Sequence, residues 1–119
     1  MILVDTSVWI DHLRGGNHRL SALLDEAGVW THPFIIGELA CGNLRNRHEL
    51  LMLLGNLPQI NVATDAEVLF YIEQHQLMGR GIGYIDTHLL ASSALAGPIK
   101  LWTLDRRLAT LAEELGLRK

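Results

Sequence analysis

Ile2-Leu3-Val4 is an unbroken apolar run, of the length and residue type that form a buried strand. Behind it, Thr6 to Arg14 reads as a helix stopped by Gly15-Gly16. Leu20, Leu23, Leu24 and Ala27 then recur at helical spacing up to Gly28, and Val29-Trp30-Thr31 reads as a second strand. Pro33 suits the first turn of a helix running to about Cys41 with Gly42 behind it, and Leu44 to Leu54 predicts another helix, ended before Pro58. A short third strand is expected at Ile60 to Val62. Thr64 and Glu67 match a capping box, so a helix should start at Asp65, with Val68, Leu69 and Ile72 toward the core and its stop in Gly79 to Gly83. Tyr84 to Ala96 follows as an Ala/Leu-rich helix, then the break Gly97-Pro98 and a strand Ile99 to Thr103. A last helix from Arg106 carries Leu108, Leu111, Ala112 and Leu115 at i, i+3, i+4 and i+7. Strands alternating with helices predict an α/β fold: a three-layer α/β/α arrangement around a central parallel sheet of four strands.

The chain has 119 residues, one domain's worth spanning 1–119, and its 49% apolar composition is ample for a core. A mean hydropathy of +0.19 is high for a small monomer and hints that a second subunit or a partner covers part of the surface. Cys41 is the single cysteine, and the start of the chain lacks the pattern of a secretory signal, so a reducing cytoplasm is expected. Gly81 to Ile99 is poor in charge but interrupted by Asp86, His88, Gly97 and Pro98, which argues against a membrane span. A net charge of −3 taken alone argues against a nucleic-acid partner.

Where the acids stand changes that picture. Asp5 is the only charged side chain in Met1 to Ile10, Glu38 the only one in Pro33 to Gly42, and Asp86 the only one in Gly81 to Ile99. A desolvated carboxylate is costly unless it is paired, hydrogen-bonded or bound to a metal, and no Lys or Arg lies in those windows. Asp5 ends the first strand and Asp105 lies just past the last one, at the rim where open α/β sheets bind ligands. If those strands are neighbours the two acids converge, and Glu38 and Asp86 reach the same crevice from the first turns of their helices. Four like charges there call for cations, and the hard ions Mg²⁺ or Mn²⁺ suit oxygen ligands. Each acid also has a plainer reading. Asp105 before Arg106, and Asp5 before Thr6, can be helix N-caps, while Glu38 and Asp86 can pair with a distant Arg.

Other chemistries find no support. His12, His18, His32, His48, His75 and His88 show no zinc spacing, and His88 is turned by the helix away from the face of Asp86. Ser7, Ser92 and Ser93 lack a nucleophile-elbow context, and there is no phosphate-binding glycine loop. A receiver domain would want an acidic pair at the first strand and an Asp ending the third. Here Thr6 follows Asp5, and Ile60-Asn61-Val62-Ala63 holds no Asp. A D-x-D phosphohydrolase fails at Ser7.

Four segments in order, Val4-Asp5-Thr6-Ser7-Val8-Trp9-Ile10, Gly37-Glu38-Leu39, Gly81 to Ala91 and Leu101 to Leu108, resemble the PIN domain, and within it the VapC-type toxins of prokaryotic toxin–antitoxin pairs. The resemblance covers nearly the whole chain. It implies an Mg²⁺- or Mn²⁺-dependent endoribonuclease with Asp5, Glu38, Asp86 and Asp105 as catalytic metal ligands and Thr6, Ser7 and Thr103 as supporting hydroxyls. Hydrolysis would proceed by a metal-activated water and leave 5′-phosphate and 3′-hydroxyl ends. The alternative is a catalytically inactive PIN-like scaffold that binds RNA or protein. The resemblance also implies a cognate small antitoxin and a homodimer. It further suggests a fifth, closing edge strand, for which Gly116 to Lys119 leaves hardly any chain. Setting the four ligands aside leaves nine acids against ten Lys and Arg, so the charge objection to RNA largely dissolves. Arg14, Arg45, Arg47, Arg80, Arg106 and Arg107 are candidates to line an RNA groove.

Overall fold

The computed structural model describes residues 1–97 and 99–119; Pro98, expected as a breaker, lies outside them. Its elements run β1 (Ile2–Val4), α1 (Thr6–Gly15), α2 (His18–Asp25), β2 (Val29–Trp30), α3 (Pro33–Cys41), α4 (Arg47–Asn56), α5 (Asp65–His75), α6 (Tyr84–Leu95), β3 (Lys100–Trp102) and α7 (Arg106–Glu114). The sheet order is β2-β1-β3, with β1 parallel to both neighbours. Ile2 pairs with Val29 on one side and Val4 with Trp102 on the other. Successive strand residues point to opposite faces, and Leu3 and Val4 are both fully buried, so both faces of the sheet are covered. Trp9, Leu20, Ile35, Leu39, Leu54, Leu89, Leu90, Leu101, Leu108 and Leu111 complete the core.

The sheet is narrower than expected. Among the described residues it has three strands, not four or five. The segment at Ile60 to Val62 is not a strand: the chain meets β2 at a single bridge between Thr31 and Gln59. Thr31 N–H donates to Pro58 O at 2.9 Å and Ile60 N–H to Thr31 O at 2.9 Å, after which the chain departs. The next buried donor, Ala63 N–H, turns to the Ser92 hydroxyl at 3.1 Å instead of a ladder partner. The far edge likewise has one bridge, Leu101 to Arg118, with Leu101 N–H donating to Leu117 O at 2.6 Å and Lys119 N–H to Leu101 O at 3.0 Å.

Helix ends follow local chemistry. The capping box at α5 forms in full, with Glu67 N–H on Thr64 Oγ1 at 3.1 Å and Thr64 N–H on Glu67 Oε1 at 2.8 Å. Val68 and Tyr71 face the core, but Leu69, a step of 100° further round, is 58% exposed, against expectation. The helix stops at His75, before the glycines, because Gln76 takes the left-handed conformation at φ 51°. Similarly α4 begins at Arg47, three residues later than its apolar periodicity suggests, behind the left-handed Asn46. The expected helix start at Pro33 is capped by an unexpected residue: His32 Nδ1 accepts Phe34 N–H at 3.0 Å. Its Nε2, which must then carry the proton, faces the buried Ser92 hydroxyl at 3.3 Å. Among the described residues no helix is long and apolar enough to cross a membrane.

Candidate metal centre

The strand order settles where the first and last acids meet. Asp5 leaves β1 beside the end of β3, and its N–H donates to Trp102 O at 2.9 Å. The chain runs from β1 to one neighbour and returns on the other side, so the β1/β3 edge is the point where the order reverses, the usual ligand crevice of such sheets. Asp5 is buried, yet its carboxylate does not cap α1, so the plainer reading of that residue is not met. Instead Oδ2 accepts the Thr103 hydroxyl at 2.7 Å and the Ser7 hydroxyl at 2.8 Å. Each hydroxyl has one proton and gives it to Asp5, while its oxygen accepts a backbone donor: Leu104 N–H on Ser7 at 2.9 Å and Asp105 N–H on Thr103 at 3.1 Å. The two relays fix the orientation of Asp5 and leave Oδ1 without a partner among the described residues.

Asp105 does two things at once. Its Oδ1 accepts Leu108 N–H at 3.0 Å, so the N-cap reading holds, and the same side chain contributes to the field of the crevice. Asp86 stands in the first turn of α6, as expected, whereas Glu38 sits in the second turn of α3, not the first. Thr6 Oγ1 donates to Glu38 Oε1 at 3.0 Å. Thus Thr6, Ser7 and Thr103 all hold acids of the group. No Lys or Arg pairs with any of the four acids among the described residues, so the distant-Arg reading of Glu38 and Asp86 is not met.

Asp86 reports the convergence. Its carboxyl is pushed up to about 6, first by burial and then by the negative charges of Asp5, Asp105 and Glu38; the Gly83 backbone N–H it accepts pulls more weakly the other way. Side chains 5, 38, 86 and 105 therefore share one electrostatic field. They do not yet share a coordination sphere. Among the described residues, no three His, Cys, Asp or Glu side chains stand close enough to hold an ion as they are. The donor chemistry nevertheless fits Mg²⁺ or Mn²⁺: all oxygen and strongly anionic, with Asp5 buried, Asp86 half-buried, Glu38 and Asp105 exposed, and Oδ1 of the fixed Asp5 free among the described residues. Mg²⁺ commonly binds through one or two carboxylates and keeps several waters, so a spaced carboxylate set suits it.

His88 stays apart from the acids, as expected. It is buried and its Nε2 lies 3.2 Å from Asp65, which also accepts the Tyr84 hydroxyl at 3.0 Å. The residue missed in the sequence is His32, and its only signal was its place directly before a helix-opening proline.

A family model of the PIN domain matches residues 2–114. Ribonuclease VapC32 from Mycobacterium tuberculosis strain CDC 1551 / Oshkosh is 50% identical over 119 residues, covering 98% of this chain and 94% of the relative. Ribonuclease VapC32 from strain ATCC 25618 / H37Rv gives the same identity and coverage. The crystal structure of FitAcB from Neisseria gonorrhoeae matches with a TM-score of 0.62, covering 95% of this chain and 94% of that one. At 20% identity that likeness is one of fold.

Proposed function

This chain belongs to the PIN domain family and to its VapC group, and on that premise we propose that it is an Mg²⁺- or Mn²⁺-dependent endoribonuclease acting as the toxin of a toxin–antitoxin pair. The observation that carries the reading is the gathering of acids at the β1/β3 rim, where Ser7 and Thr103 hold Asp5, Thr103 also accepts the Asp105 N–H, Thr6 holds Glu38, and no cation pairs with any of the four acids among the described residues; the raised carboxyl of Asp86 agrees with it. The substrate class follows the relatives, each named a ribonuclease and half identical across almost the full chain.

In this reading Asp5, Glu38, Asp86 and Asp105 hold the ion. A bound divalent ion supplies a Lewis acid that activates water and offsets charge on the phosphodiester. Asp5 presents Oδ1 because Ser7 and Thr103 occupy Oδ2. Thr6 restrains Glu38, and the helix cap restrains Asp105. Asp86, whose carboxyl burial and its acidic neighbours raise to about 6, would hold the ion in its deprotonated form, so ion binding would favour loss of its proton.

A cognate small antitoxin, whose segment covers the acidic crevice, completes the proposal, with a homodimer and a cytoplasmic setting. The dimer draws support from Phe70 and Leu95, which are 67% and 57% exposed beside an apolar hollow of about 340 Å³. The alternative reading is a catalytically inactive scaffold of the same fold that binds RNA or protein. Cleavage of single-stranded RNA separates the two. Wild type should cut only with Mg²⁺ or Mn²⁺ and Asp5→Asn should lose at least about a hundredfold of that rate, the scale of loss when an electrostatic contact to the transition state is removed. Equal, metal-independent cutting by both proteins would sink the mechanism.

A further inference from the structure

A polyanion brought to four carboxylates meets a field of its own sign, so the crevice needs positive charge beside it. On the Asp105 side, α7 opens with Arg106 and Arg107. With Arg80, Thr110 and Leu111 they line an open hollow of about 190 Å³. The three arginines are not equivalent. Arg80 is engaged: its Nη2 donates to both carboxylate oxygens of Glu114, at 3.0 and 2.9 Å, tying the segment before α6 to the end of α7. Arg106 and Arg107 have no carboxylate within ion-pair distance among the described residues.

Arg107 is also seated. A Cβ at Gly81 would meet its Cδ and Nη1 at 2.9 Å and its Nε at 3.2 Å, so the side chain rests on bare backbone. The φ of +83° at Gly81 disfavours a side chain there for a second reason. With Cδ, Nε and Nη1 all laid against that backbone, the guanidinium itself is a planar group oriented in advance, suited to the oxygens of a phosphodiester.

We propose that Arg107, seated on Gly81 and flanked by Arg106, binds a phosphodiester of the RNA strand adjoining the one presented to the acids. This rests on the ribonuclease reading above and adds where the strand runs: off the acidic crevice on the side of Asp105, over the start of α7. Arg107 touches substrate here but not the reacting phosphorus, so its role is binding and positioning.

The test is equilibrium binding of a labelled single-stranded RNA oligonucleotide in EDTA, across a series of salt concentrations. On a single strand each phosphate contact contributes about 0.7 to the slope of log affinity against log salt. Arg107→Gln should weaken binding roughly tenfold and reduce that slope by about 0.7. Arg107→Lys, which keeps the charge and loses the fork, should restore the slope and only part of the affinity. Arg19→Gln, on α2 and outside the hollow, should leave the slope unchanged. Equal slopes for wild type and Arg107→Gln would overturn the phosphate site while leaving the ribonuclease reading intact. Equal slopes together with weaker binding of a poly-glutamate peptide would overturn it in favour of an acidic protein partner. Absence of both RNA binding and cleavage in the wild type would remove both proposals.

Discussion

Asp86 and His32 titrate across the same acidic range with opposite effects on stability. The Asp86 carboxyl is raised to about 6, first by burial and then by its three acidic neighbours, so the native state holds this proton more tightly than the unfolded chain. Its contribution is fully present below the ordinary Asp value and lost as pH rises through about 6. His32 is lowered to about 4, by burial and then by His88, so its contribution is present above the ordinary His value and lost as pH falls toward about 4. Metal-free wild type should therefore show a shallow pH dependence between these limits. Asp86→Asn, melted in EDTA over the same range, should gain stability steadily with rising pH, because only the His32 contribution remains. At pH 7 that variant should exceed wild type by about 1–2 kcal/mol, allowing for solvent screening of a half-buried group, and it should not cleave RNA. Melting below wild type at pH 7 would mean that Asp86 serves the fold instead. At this scale Asp5, Glu38 and Asp86 stood out because each is the lone charge of an apolar segment, whereas Asp105, beside Arg106 and Arg107, stood out only by its place just past the last strand. The hydroxyl relays to Asp5 were not, since which oxygen Ser7 and Thr103 face depends on how β1 and β3 align.

Among the elements, local signals proved as reliable as the bonds behind them were short-range. The capping box of α5 needs only Thr64, Glu67 and the backbone between them, and it forms as read. Thr64→Ala should cost about 1 kcal/mol, seen as a drop of a few degrees in Tm, with RNA cleavage unchanged because the helix start lies outside the acidic crevice. The expected strand at Ile60 to Val62 depended instead on a distant competitor. Ser92 of α6 takes Ala63 N–H, and Val62 is left 43% exposed. The end of α5 was misplaced for a related reason. Gln76 in a left-handed conformation is uncommon, so Gly79 to Gly83 offered the more conventional stop.

For the molecule as a whole, alternation of short strands and helices predicted parallel pairing and burial of both sheet faces, and the structure has both. The width of the sheet was not legible, because two of its margins amount to one bridge each. Ion binding should act on global stability, since a ligand held only by the native state raises it by mass action. Mg²⁺ or Mn²⁺ at a hundredfold over Kd should add about 2.7 kcal/mol, and Asp5→Asn should show almost no rise in Tm on the same titration. A wild-type Tm indifferent to either ion would favour the scaffold reading. The acids come from residues 5, 38, 86 and 105, so the centre draws on almost the full length of the chain. A nascent polypeptide still short of Asp105, or a proteolytic remnant cut anywhere between α1 and α7, carries an incomplete set. On the ribonuclease reading, nuclease competence thus waits until Asp105, the last of the four acids along the chain, has been made.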